Sequence, residues 1–363
     1  MHTLRILIVL SLLLLASSLA WAQTTDPARL GVNMTAPQHT LDVNGAINIA
    51  PDSAYQINGT PVLRTQQGTF LGTPYTNLYL GPGAGQSNTT GRGNHFSGYQ
   101  AGQNSTTGSQ NYFSGYQAGQ NNTDGFNNHF SGYQAGQNNT TGYENHFSGF
   151  SAGNRNTTGS ENVYLGHRAG FFGNYTNAIA IGTRVSARGN NTVTIGDSRM
   201  TSIGGAVGWS QVSDGRFKRE VAEDVPGLEF VTRLRPVSYQ VDRAALHAFL
   251  QGEEAESENT FPEQPRETGF IAQEVEEVAQ GLGYQFNGII QPQSERDHYQ
   301  LSYATFVVPL VQAAQEQQDL IEALQAENTR LSQENAHHRD YFKQLESRLQ
   351  ALESKSSSSP TEA

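Results

Sequence analysis

Asn94-His95-Phe96-Ser97-Gly98-Tyr99-Gln100-Ala101-Gly102-Gln103-Asn104-Ser105-Thr106-Thr107-Gly108 is followed, 17 residues on, by nearly the same text: Asn111-Tyr112-Phe113-Ser114-Gly115-Tyr116-Gln117-Ala118-Gly119-Gln120. The glycine after each strand-like core recurs at Gly81, Gly98, Gly115, Gly132, Gly149, Gly166, Gly182 and Gly196. The interval is 17 five times, then 16, then 14. A fixed short period means stacked coils, because one unit is too short to bury a core alone. Each unit reads as a strand, a glycine, a second short strand through Ala-Gly, and an Asn-Thr-Thr-Gly turn. Residues 77–200 are therefore expected to form a parallel β-roll or solenoid. Eight coils at about 4.8 Å each make a rod of roughly 40 Å.

In the last coils, Ile179 and Ile181, or Val193 and Ile195, share one face. In the middle coils the same positions hold His95 and Ser97, Tyr112 and Ser114, His129 and Ser131, His146 and Ser148. The large apolar residue has moved by one, to Phe96, Phe113, Phe130 and Phe147, and a shift of one residue flips the face. These phenylalanines either turn inward or face neighbouring chains. The second arrangement suits a trimer better, since an exposed aromatic ladder invites aggregation. The histidines read as a stacked polar ladder rather than a metal site, and the Asn-x-Thr sequons as turn chemistry. The cores Asn-Ala-Ile-Ala-Ile-Gly (177–182) and Asn-Thr-Val-Thr-Ile-Gly (191–196) resemble the left-handed parallel β-roll heads of trimeric autotransporter adhesins. That resemblance implies a homotrimer.

Towards the N-terminus, residues 23–76 form a β connector with hairpin-type turns at Asn44-Gly45 and Asn58-Gly59. Residues 1–22 read as a secretory signal: Arg5 in a positive n-region, an apolar run over 6–15, and Ala20-Trp21-Ala22 before the cut. The mature protein is expected to be exported, secreted or displayed on the cell surface, with no membrane span after signal removal. Charged residues make up only 15% of the 363 and the net charge is −11. That balance disfavours nucleic acid and anionic membranes as partners. With no cysteine there is no disulfide and no thiolate metal site. No cofactor and no metal is implied.

Towards the C-terminus, residues 201–212 are a Gly-rich hinge. An α+β domain follows over 213–309. In it, residues 228–234 suggest a helix turning into a strand at Pro236-Val237-Ser238-Tyr239. Residues 244–266 are acidic and Pro-containing, and read as a solvated loop. Residues 269–278 have helical spacing, with Glu274, Glu276 and Glu277 on the solvated face. From Leu310 a heptad holds. One seam carries Leu310, Gln317, Leu324, Leu331, His338, Leu345 and Leu352. The other carries Ala314, Ile321, Asn328, Asn335, Phe342 and Leu349. Residues 310–352 are thus expected to form a coiled coil roughly 63 Å long. The serine-rich tail, 353–363, is expected to be disordered.

The chemistry gathers at Ser213-Asp214-Gly215-Arg216-Phe217-Lys218. A serine hydroxyl becomes a nucleophile when a neighbour takes its proton, and a desolvated lysine can do so. Four blocks stand in order: SDGRFK (213–218), LRPVSYQ (234–240), GFIAQEVEEV (269–278) and LSYATFVVPLVQAAQEQ (301–317). The set resembles the peptidase S74 family, the intramolecular chaperone of phage tail spikes and fibres. The resemblance implies that Ser213 attacks the Val212 carbonyl with Lys218 as base, cutting between Val212 and Ser213, with Asp214 and Arg216 as possible support. Where the family continues Lys-x-Asn-Ile, this chain has Lys218-Arg219-Glu220-Val221.

The expected function follows. An exported trimeric fibre or adhesin is assembled by a C-terminal chaperone that then removes itself. The alternative is an adhesin that does not cleave, in which the S74-like domain stays as a trimer cap. A glycosidase is disfavoured, because the acids of the repeats (Asp124, Glu144, Glu161) are sparse.

Overall fold

The computed structural model describes residues 53–251, 265–295 and 297–356. It also describes three short strands, β1 (Ala22–Gln23), β2 (Leu30–Val32) and β3 (Leu41–Val43). The signal segment through Trp21, the Asn44-Gly45 turn and residues 357–363 lie outside the described residues. The chain divides into two compact units, Met1–Ile195 and Gly196–Ala363.

The first unit is a parallel β-solenoid. A hairpin of β4 (Ala54–Ile57) and β5 (Thr60–Phe70) turns at Asn58-Gly59, both at positive φ. A second hairpin joins β5 to β6 (Thr73–Leu80) through Leu71-Gly72. From β6 the sheet is parallel. It continues through β7 (His95–Ser97), β8 (Tyr112–Ser114), β9 (His129–Ser131), β10 (His146–Ser148), β11 (Val163–Leu165), β12 (Ile179–Ile181) and β13 (Val193–Ile195). Equivalent residues pair, so Phe96 lies opposite Phe113 and Phe113 opposite Phe130. Each coil contains one strand, not the two expected. The Ala-Gly segment is a tight turn, yet it still bonds coil to coil: Gly102 N–H donates to Ala118 O at 2.9 Å.

The middle residue of each three-residue strand is the only one that points inward. Phe96, Phe113, Phe130 and Phe147 fill that position and are fully buried within one chain. The expectation that they face neighbouring chains is corrected. Their rings form a column with Tyr164, with centroids 4.7 to 4.9 Å apart and nearly parallel planes. Each such ring contributes about 2–3 kcal/mol by burial. In the last two coils, of 16 and 14 residues, the circumference shrinks, and the inward position holds Ala180 and then Thr194. The large residues of those strands therefore sit outside, with Val193 64% exposed.

Two polar columns flank the rings. Asn77, Asn94, Asn111, Asn128, Asn145 and Asn162 are buried. Each side-chain oxygen from Asn77 to Asn145 accepts the backbone N–H of the next asparagine, as Asn77 Oδ1 does from Asn94 at 2.8 Å. The other column is Asn88, Ser105, Asn122, Asn139 and Asn156. Glycine is required at the strand exit. Gly115 has φ +137°, and a Cβ there would meet Gly132 O at 2.3 Å.

In the second unit, α1 (Leu228–Val231), α3 (Ala272–Gly281) and the start of α4 (Val307–Ser356) surround a small core. Phe230, Val275, Ala279, Phe286 and Phe306 are its buried members. The Glu316 carboxylate on α4 accepts the Leu228 N–H at 2.7 Å, capping α1, and that bond holds its pKa below the usual carboxylate range. Two short antiparallel pairs complete the unit: β14 (Val237–Tyr239) with β15 (Glu267–Gly269), and β16 (Ile289–Ile290) with β17 (Gln300–Leu301). The segment expected to be a solvated loop from residue 244 instead begins as a helix, α2 (Arg243–Gln251), with His247 buried. Ala244-Ala245-Leu246 and Ala248-Phe249-Leu250 are good helix formers, and Asp242 caps them by accepting the Ala245 N–H. Helix α4 spans 50 residues, about 75 Å, and continues into the stretch expected to lack structure. Its seam residues Leu324, Leu331, Phe342 and Leu345 are exposed in the single chain.

Candidate functional site

Residues 213–218 fold as a local turn that explains their spacing. Gly215–Phe217 is a single 3-10 turn capped by Asp214, whose carboxylate accepts the Arg216 N–H at 2.9 Å. Phe217 N–H donates to Asp214 O, and Lys218 N–H to Gly215 O. The turn folds residue 218 back over residue 213. Lys218 Nζ lies 3.0 Å from Ser213 Oγ, within the reach a base needs.

The two supporting residues are occupied with each other. The Arg216 guanidinium donates to both oxygens of Asp214, with Nη2 at 2.6 Å from Oδ2. That pairing holds the Asp214 carboxyl below its usual range and raises Arg216. Asp214 therefore shapes the turn, and its charge is directed to Arg216. Arg219 also belongs to the turn, donating from Nη1 to the Arg216 and Lys218 carbonyls.

Glu220, two residues past the lysine, stands at φ +52°. Left-handed backbone costs an ordinary residue roughly 1 kcal/mol and is tolerated best by Gly, Asn and Asp. An asparagine at this place, as in Lys-x-Asn-Ile, therefore has a conformational reason, and glutamate meets the same demand with strain. Val212, Ser213, Phe217 and Lys218 are all exposed in the single chain, Val212 at 87%.

Residues 213–284 match the Peptidase_S74 family, chaperone of endosialidase. The match begins on the serine of the Ser213–Lys218 pair and ends at Tyr284, after α3. The S74 segment thus lies directly C-terminal to the solenoid and its exposed linker. Comparison with curated proteins and with solved structures gives no match.

Two of the three acidic side chains of α3 are engaged elsewhere. Glu274 pairs with Arg235, and Glu276 accepts from the Tyr299 hydroxyl and from Gln291. Outside the S74 segment, His129 and His146 stack at 4.6 Å on the outer face of the sheet. Among the described residues no three His, Asp or Glu side chains converge as metal ligands would, and no helix is long and apolar enough to cross a membrane.

Sequence reasoning missed one feature. Ser198 Oγ lies 3.0 Å from His247 Nδ1 with both residues buried, and Arg243 Nη1 donates to the carbonyls of Ser198 and Met200 at 3.1 and 2.6 Å. The partners are some 45 residues apart, and no local pattern announces them.

Proposed function

We propose that the S74 segment assembles three copies of this chain and then cuts itself from the solenoid between Val212 and Ser213. The observation that carries the reading is the coincidence of two facts. The family match starts at Ser213, and the Ser213 hydroxyl is in hydrogen-bond contact with Lys218.

In the proposed step, Ser213 Oγ attacks the Val212 carbonyl carbon as Lys218 takes the hydroxyl proton. The C–N bond to Ser213 breaks, the proton passes to the departing nitrogen, and an ester joins Val212 to Ser213 Oγ. Water then hydrolyses the ester to the Val212 carboxylate and the free hydroxyl. Attack on the adjacent peptide is intramolecular, so much of the entropic cost of encounter is already met. The exposed turn fits a site that assembly completes: neighbouring chains would exclude water and supply further donors to the oxyanion.

Assembly also has a physical purpose here. Coils that repeat every 17 residues offer many mismatched pairings between chains. The long α4, with its unpartnered Leu324, Leu331 and Phe342, would hold three chains in one register. Export to the cell surface and an adhesive role for the rod belong to this reading, supported by the signal-like N-terminus and the repeat composition.

The test is direct. Expressed full chain is expected to yield a fragment of 151 residues beginning at Ser213, identified by intact mass. Ser213→Ala and Lys218→Ala are expected to remain uncut yet sediment as trimers. A wild-type trimer that never cuts would leave the S74 segment as a permanent cap, and a fragment persisting in Ser213→Ala would point to a foreign protease.

A further inference from the structure

The contacts of α2 cross the position of the proposed cut. Residues 197–200 precede Val212, and α2 follows Ser213. The Asp197 carboxylate, almost fully buried, accepts from the Arg199 backbone N–H and guanidinium. Met200 N–H closes the turn on Asp197 O. That turn presents two carbonyls, of Ser198 and Met200, to Nη1 of Arg243. The Ser198 hydroxyl meets His247 one helical turn further along α2. Glu267 Oε1 on β15 stands 4.0 Å from Nη2 of Arg243.

The linker between these partners is different. Residues 201–213 are exposed throughout and form no strand or helix. A Cβ added at Gly204 or Gly208 would meet nothing within 4 Å. The chain is therefore exposed along the linker that leads to the cut and held by hydrogen bonds just before that linker.

We propose that the turn at residues 197–200 is a docking peptide for α2, so that the C-terminal fragment stays bound to the rod after the Val212–Ser213 bond is broken. The partner is the chain's own N-terminal fragment, recognised through two backbone carbonyls and one buried hydroxyl. Cleavage and release are then separate events, and release requires Arg243 to give up two carbonyls and His247 its buried serine partner. Polar groups left unpaired in a buried site are costly, which makes the dissociation slow. The inference rests on the reading that the chain is cut, but its test does not.

A site for a sequence-specific protease is inserted between Gly204 and Gly205 of full-length Ser213→Ala, so that the chain is opened whether or not it cuts itself. After digestion, both fragments are expected to co-elute in gel filtration. In the double variant Ser198→Ala/Arg243→Met, the C-terminal fragment is expected to leave at least tenfold faster. Arg243→Lys, which can hold only part of the carbonyl pair, is expected to fall between the two. Thermal melts of the undigested variants check that α2 still folds; if the double variant does not, Arg243→Lys and Ser198→Ala singly carry the comparison. Immediate separation of the unmutated, opened chain would overturn the proposal, as would retention unchanged in all the variants that fold.

Discussion

Replacing Ser105 with asparagine should stabilise the solenoid. The second polar column runs Asn88, Ser105, Asn122, Asn139, Asn156. Where asparagines are adjacent each donates to the one in the coil below: Asn139 Nδ2 to Asn122 Oδ1 at 2.7 Å, and Asn156 Nδ2 to Asn139 Oδ1 at 2.9 Å. Each also donates to the glycine carbonyl three residues on, as Asn122 does to Gly125 O at 2.9 Å. Ser105 is too short for either bond. Its hydroxyl is buried without a partner, and so is Asn88 Oδ1 in the coil below. An asparagine at 105 would donate to Asn88 Oδ1 and to Gly108 O, and would accept from Asn122 Nδ2. The neighbouring coils mark the place the amide oxygen would take: a Cβ at Gly125 would meet Asn122 Oδ1 at 2.2 Å and one at Gly142 would meet Asn139 Oδ1 at 2.3 Å, whereas the three atoms nearest to one at Gly108 include none of Ser105. Three bonds at about 1 kcal/mol each, less about 1 kcal/mol for ordering the longer side chain, leave a gain of roughly 2 kcal/mol. Calorimetry of the rod transition should show Tm rising by several degrees. Ser105→Ala, which only removes the unpaired hydroxyl, is the control. If Ser105→Asn melts at or below Ser105→Ala, the column contributes nothing and the reasoning fails.

Changing Phe113 and Phe130 to serine should cost the rod about 3 kcal/mol or more at each site, whereas serine at His95 and His129 should change little; equal melting shifts for the two pairs would contradict the buried ring column. Burial, and then the neighbouring His146, lower the His129 pKa below its ordinary 6.5. The unfolded chain therefore takes up the proton first, and stability should fall as pH drops below about 6.5 through the depressed value; melts from pH 7 to 5 should show this slope, and His129→Tyr should flatten it. Glu220→Asn should relieve the left-handed residue by roughly 1 kcal/mol and speed the appearance of the fragment that starts at Ser213, followed by gel densitometry; a slower cut would show that Glu220 has another role.

The period of 17 was legible because glycine at the strand exit is demanded by contact with the coil above, and a contact that repeats leaves a repeat in the text. The orientation of Phe96 and its equivalents was not legible. In a strand of three residues, alternation allows either face inward, and only the coil circumference decides. The shortening to 16 and 14 residues was the available clue, since it removes room for a ring. The tight turn that brings Ser213 and Lys218 together emerged only in the fold; their pairing was legible from the four ordered blocks rather than from the spacing of the two, which is common. The role of Asp214 was not, because the same carboxylate serves equally well for Lys218 or Arg216 until the turn is built. Helix α2 was hidden by the acidic and Pro-containing text that follows it, although its own nine residues favour a helix. Single polar residues such as Ser198 and His247 carry no periodic signal, so their meeting had to be seen.

The stacking also has a genetic consequence. Coils β7 to β10 bond to their neighbours through equivalent atoms at an offset of 17 residues. Loss or duplication of one such unit, 51 nucleotides of coding sequence, would rejoin matching surfaces and leave both ends of the rod unchanged. Length could then drift by unequal recombination in steps of about 4.8 Å, while the odd coils of 16 and 14 residues at the C-terminal end mark where counting stops. A lineage could adjust how far the rod reaches without having to solve its folding again.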